Sequence, residues 1–142
     1  MNVKLYFFAC IIAIIFSACK TYYIPVESFK QQFNGLDTTK RVTMKTPYGN
    51  RVSYNTYPID VVKCIDKTGS QMVLKSAPSL EIRFTDNQNK RKTFYFDLIY
   101  IDGDKVTGVE SRFMPWIKAT VLLSNIKTIE IQDDKKGFSY EH

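Results

Sequence analysis

The chain has 142 residues, 44% of them apolar, with a net charge of +6, three cysteines and a single histidine. That length suits one domain of ordinary size and leaves no room for two comfortable ones. A lone histidine with cysteines at 10, 19 and 64 offers no ligand cluster for a metal. A phosphate-cradling glycine loop and a nucleophile elbow are missing too.

The first stretch carries the strongest signal. Lys4 precedes an apolar run from Leu5 to Phe16, which ends in Phe16-Ser17-Ala18-Cys19. A charged start, a short apolar core and small residues at a cleavage point form the pattern of a secretory signal. The run is shorter than the roughly 20 residues of a helix that crosses a bilayer, which argues against a retained membrane helix. Ser17-Ala18-Cys19 resembles the lipobox of bacterial lipoproteins, where the cysteine thiol is acylated and the bond before it is cut. Phe16 stands where such boxes usually carry Leu, and related lipoproteins of Bacteroidota-type bacteria also place aromatic residues there.

The resemblance to the small lipoproteins of that group implies a leader over residues 1–18, lipidation at Cys19 and a protein held on a membrane without spanning it. Ordinary secretion and a retained anchor are the competing readings. More than one acyl chain is needed for stable anchoring, each buried CH₂ contributing about 0.8 kcal/mol. Surface-exported relatives in that group carry a short acidic run after the cysteine, whereas Lys20-Thr21-Tyr22-Tyr23 follows here. The implied location is the outer membrane, its periplasmic face rather than the cell surface.

Loss of the leader removes only Lys4 among the charges, so the mature chain carries +5. In an envelope that charge faces headgroups and glycans rather than nucleic acid, or serves solubility alone. Cys10 leaves with the leader and an acylated Cys19 is blocked, so Cys64 has no disulfide partner. Within Asp60-Val61-Val62-Lys63-Cys64-Ile65 it fits a strand as a small core residue. As a nucleophile it would need a base, and the single histidine is the terminal His142.

Residues 19–25 read as a lipidated, extended tether, with Tyr22 and Tyr23 at the headgroup level or packed on the domain. Residues 26–134 form one β-rich domain and 135–142 a charged, frayed tail. Pro25 suits a helix start, Val26, Phe29 and Phe33 share one helical face, and Gly35 suits the stop. Such a helix would cover an open end or edge of the following sheet.

From Lys40 the period becomes two, the mark of half-buried strands. Val42 and Met44 lead to a turn at Pro47-Tyr48-Gly49-Asn50, and Val52 and Tyr54 return. A strand from Pro58 to Ile65 turns at Asp66-Lys67-Thr68-Gly69 into Gln71 to Lys75. Leu80, Ile82 and Phe84 alternate with polar residues up to the turn Asp86-Asn87-Gln88-Asn89. Thr93 to Ile101 is the longest strand signal, and its change of parity suggests a bulge or cover on both faces.

Asp102-Gly103 is the strongest hairpin signal. Val106 and Val109, of opposite parity across Gly108, suggest a second bulge. Phe113-Met114-Pro115-Trp116 forms an apolar corner. Val121 and Leu123 read as a strand, Ser124-Asn125-Ile126 as a tight turn, and Ile129 and Ile131 as the closing strand. The fold class is mainly β: an antiparallel sheet or small, partly open barrel with one short N-terminal helix. Leu80 to Ile131 resembles the small barrels of the Src-homology-3, Sm and PRC type.

Few residues suggest chemistry. Asp102-Gly103-Asp104 lacks the other ligand positions of a calcium loop and reads as a turn. Asp97, in an apolar strand, is the one acid in an unusual setting: half of a glycosidase-like pair, or a carboxylate paired with a neighbouring Lys or exposed at an edge. Lys90-Arg91-Lys92-Thr93-Phe94-Tyr95-Phe96 reads either as a stacking platform or as a basic guard on a sheet edge, and edge protection is favoured.

The expected function is therefore a membrane-anchored, non-enzymatic binding or scaffolding module of the bacterial envelope. It needs no catalytic residue, cofactor or metal, and its partners are the membrane through Cys19 and an envelope protein, glycan or lipid headgroup. The alternative is an envelope hydrolase, or an inhibitor of a cell-wall or envelope enzyme.

Overall fold

The computed structural model describes residues 20–133 and 136–141. The leader and Cys19, which carry the expected anchor, lie outside the described residues, as do residues 134, 135 and 142. Among the described residues the fold is mainly β and antiparallel, with one short α-helix, and the three sheets do not close into a barrel.

The largest sheet has six strands: β1 (Thr21–Tyr23), β4 (Val61–Ile65), β5 (Gln71–Lys75), β6 (Leu80–Asp86), β7 (Arg91–Tyr95) and β11 (Ile126–Asp133). Their order is β5-β4-β1-β11-β6-β7. A second sheet orders β8 (Ile99–Asp102), β9 (Lys105–Val109) and β10 (Lys118–Leu122) as β10-β9-β8. The third places β2 (Lys40–Lys45) between β3 (Arg51–Thr56) and β12 (Ser139–Tyr140).

Alternation explains most of this. Leu80, Ile82 and Phe84 of β6 face Ile129 and Ile131 of β11 across a register that pairs Ile82 with Ile131 and Phe84 with Ile129, all five buried. The helix α1 (Val26–Phe33) buries Phe29 and Phe33. Phe29 meets Phe84 edge-on at 5.6 Å, and Phe33 meets Phe96 at 5.9 Å. Gln32 fastens the helix to β4, donating to the Lys63 carbonyl at 2.9 Å and accepting the Lys63 N–H at 2.7 Å. Because α1 contacts β4 and β11, which flank β1, it covers a sheet face rather than the expected open end or edge.

Several expectations are corrected. Residues 21–23 are not tether: Tyr22 pairs with Ile131 and Tyr23 with both Glu130 and Ile65, so β1 lies inside the sheet. Ile24 behind it is buried, which gives this short segment an apolar reason to join the core. The strand read from Thr93 to Ile101 is two strands of different sheets, separated by a single 3₁₀ turn at Phe96–Leu98. That turn, not a bulge, reverses the parity.

Gly108 is not a bulge either. It pairs in register with Ala119 and Ile99, and a Cβ on it would lie 2.3 Å from the Phe94 ring, so glycine lets β9 approach β7. β11 does not close the fold but runs between β1 and β6. The tail is not frayed where it is described: Ser139 pairs with Lys45 and Tyr140 with Met44.

Candidate functional site: a buried charge pair under an apolar cleft

The 3₁₀ turn that carries the chain from β7 to β8 places Asp97 inside the protein, its side chain 1% exposed. A buried carboxylate is costly unless it is paired and hydrogen-bonded. Arg112, on the loop between β9 and β10, donates from Nη2 to Asp97 Oδ1 at 2.6 Å and to the Pro78 carbonyl at 2.6 Å. The hydroxyls of Tyr54, on β3, and Tyr140, on β12, both donate to Asp97 Oδ2, Tyr140 at 3.1 Å.

The guanidinium is 6% exposed and stands 4.2 Å over the Tyr95 ring, with the Phe138 ring at 5.3 Å. Its Nε is buried without a hydrogen-bond partner among the described residues. Burial, and then the Asp97 charge, hold the Tyr54 hydroxyl far above the ordinary tyrosine range, and the Arg112 charge offsets part of this. Tyr140 is raised by the same two causes in the same order. Both phenols therefore stay protonated and act as donors.

Above this centre lies an apolar cleft of about 410 Å³ between the β2–β3 hairpin and the loop after β9. Met44, Pro47, Val52, Leu98, Phe113 and Phe138 line it, with Tyr54 and Arg112 among its polar lining residues. No carboxylate lines it among the described residues. A larger hollow, about 630 Å³, lies beside Lys40, Thr56, Asp60 and Lys75, where Lys40 and Asp60 form an exposed ion pair at 3.1 Å.

This geometry decides what Asp97 can do. A general acid or base must reach its substrate. Asp97 is enclosed, and its two oxygens accept three hydrogen bonds. It joins four segments of chain and is matched by Arg112, so it is neither paired with the expected neighbouring lysine nor exposed at an edge.

The other singled-out residues lie elsewhere. Cys64 is buried in β4, donates weakly to the Met72 carbonyl at 3.7 Å, and its thiol is pushed up by burial, as befits a core residue. Asp102-Gly103-Asp104 is a hairpin turn with Gly103 at φ +58°, and Asp104 accepts the Ser124 N–H at 2.9 Å and the Ser124 hydroxyl at 2.6 Å. β7 is an outer strand of its sheet, with Arg91 and Lys92 exposed and Phe94, Tyr95 and Phe96 buried. The rings that a stacking platform would need are inside, and the basic run lies at the start of an outer strand, the setting of the favoured edge reading.

The chain matches no family, no curated protein and no solved structure. Arg112, Tyr54 and Tyr140 are the residues that sequence reasoning missed. A single cation opening the apolar corner Phe113-Met114-Pro115-Trp116 was the available signal, with nothing to join it to Asp97 fifteen positions away.

Proposed function

We propose that this protein is a lipid-anchored component of the bacterial envelope whose work is non-enzymatic binding, with the apolar cleft over Arg112 as its binding surface. The observation that carries the reading is the cleft's chemistry. Its walls are apolar, while the ionisable groups beside it are occupied by one another. Pockets of a few hundred Å³ with apolar walls and few polar groups suit small or elongated apolar ligand segments. The anchor is supported by Phe16-Ser17-Ala18-Cys19 and by the apolar run before it.

Equilibrium titration of the purified protein with a fluorescent aliphatic carboxylate tests the cleft. Val52 lines it and is 46% exposed, so Val52→Arg obstructs the cleft without touching the core. The expected result is saturable binding that Val52→Arg weakens by about tenfold, or about 1.4 kcal/mol. Equal affinity in both proteins, or no binding to either, sinks the cleft as the site. Mass spectrometry of the mature amino terminus tests the anchor separately, since an unmodified Cys19 removes it.

A further inference from the structure

The loop between β9 and β10 holds four large apolar side chains in water: Phe113 is 74% exposed, Met114 46%, Trp116 73% and Ile117 49%. It is not a loose segment. Arg112 roots it in the buried centre, the Phe113 N–H donates to Ser111 Oγ, and the Ile117 N–H donates to the Met114 carbonyl at 3.0 Å. Apolar groups fixed outward on an ordered turn, close to one another, mark a surface that something apolar meets.

The strand registers say which end of the molecule this is. Thr21 opposes Gln132, Gln132 opposes Glu81, and Glu81 opposes Tyr95. One row thus runs across four strands from the start of β1 to the ring beneath Arg112. At roughly 4.8 Å per strand that row is about 14 Å long. The loop leaves β9 after Val109 and re-enters β10 at Lys118, which oppose each other, while the far end of that hairpin sheet is closed by the Gly103 turn.

The β2–β3 turn reaches the same end. Lys136 bonds Glu81, Phe138 packs on Tyr95, and a Cβ on Gly137 would meet the Pro47 ring at 3.4 Å. Tyr48 in that turn is 81% exposed. Five exposed apolar side chains therefore stand at the end where the chain joins the sheet.

Lys20 is the residue after Cys19, and β1 starts at Thr21. The two residue steps from Cys19 to Thr21 span at most about 7 Å, so acyl chains on Cys19 would set the bilayer close against this end. Trp and Tyr favour the headgroup boundary, and Phe, Met and Ile favour the layer below it. Lys20 precedes β1 and Lys118 closes the loop at this end, where Glu110 is engaged by Lys92 at 3.3 Å and Glu81 by Lys136, and Asp133, opposite Leu80, is a further carboxylate. That balance suits an anionic headgroup layer. A second copy of the chain would cover Phe113 and Trp116 as well, but would not account for their place beside the anchor.

We propose that Phe113, Met114, Trp116, Ile117 and Tyr48 form a bilayer-docking face that lays the domain, cleft end down, on the anionic membrane holding Cys19. The proposal rests on the reading of Cys19 as the lipid anchor. Docking makes the membrane's own lipids the first apolar ligands to meet the cleft, whose wall shares Tyr48 and Phe113 with this face.

Trp116 is the single tryptophan of the chain and reports on the face directly. The full protein, purified from membranes, is placed in vesicles of phosphatidylethanolamine and phosphatidylglycerol, and its emission is measured with aqueous iodide and with bromine-labelled lipids. The expected result is a blue shift, a several-fold loss of iodide quenching and strong quenching by brominated lipid. Phe113→Ser with Met114→Ser, both exposed sites, should restore iodide quenching without moving the denaturation midpoint. Trp116 open to iodide on a protein whose Cys19 is acylated overturns the docking face and leaves the anchor standing. If Cys19 is unmodified, bromolipid quenching on mixing with vesicles upholds the face and removes the anchor. Without quenching there, both fall. Shielding from iodide without bromolipid quenching means self-association, and also overturns the face.

Discussion

The core beneath the six-stranded sheet and the charged centre at its Tyr95 end are held together differently. In the core, Ile82, Phe84, Ile129 and Ile131 belong to adjacent strands, and each contributes by leaving water. At the charged end, Tyr54, Asp97, Arg112 and Tyr140 come from four separate segments and no two are strand partners. Loss of one member from the core leaves a hole. Loss of one from the charged centre leaves a buried group without its complement, which is a different kind of penalty.

Arg112→Leu breaks that difference open most strongly. It strands the Asp97 carboxylate, and removal of one partner of a buried pair costs about 3–5 kcal/mol. Replacement of both, Arg112→Leu with Asp97→Leu, should recover most of this, because no unpaired charge then remains. Urea denaturation of the two singles and the double reads the coupling, and simple additivity would show that the pair does not act as a unit.

Gly108→Ala probes the apolar side. The new methyl would sit 2.3 Å from the Phe94 ring, so the sheets must move apart at a cost of about 1–3 kcal/mol. Phe94→Leu in the same chain should return part of that loss. If Gly108→Ala is neutral in thermal melts, close approach is not what glycine provides there.

The smallest effect is one of pH. Unfolded tyrosines release their protons near pH 10. Folded Tyr54 and Tyr140 hold theirs to higher pH, chiefly because they are buried. The folded state then binds more protons, so stability is unaffected by these groups below about pH 10 and falls as pH rises beyond it. Tyr54→Phe with Tyr140→Phe should flatten that fall in denaturation curves taken at increasing pH. An unchanged slope would place the alkaline loss elsewhere.

The same contrast separates what was legible in the residues from what was not. Period-two alternation reports burial on one strand face, so β6, β11 and the hairpin turns at Pro47, Asp66, Asp86 and Asp102 follow from local pattern. The helix followed from Pro25, Phe29 and Phe33. Pattern failed at Thr93 to Ile101, because a run apolar at both parities fits one doubly covered strand as well as two strands in different sheets. It failed again at Tyr22 and Tyr140, where two or three residues are too few for a period to show.

By itself, then, the sequence determined the β class, the turns, the short helix and the lack of a local metal or nucleophile motif, since each depends on neighbours in the chain. Tertiary structure alone decided that β1 joins the middle of a sheet and that Asp97 meets Arg112 and two tyrosines under an apolar cleft. It also decided that Phe113 and Trp116 are held outward at the end where β1 begins. Those outcomes depend on which distant segments share the buried volume, and periodicity along a single strand carries no information about that.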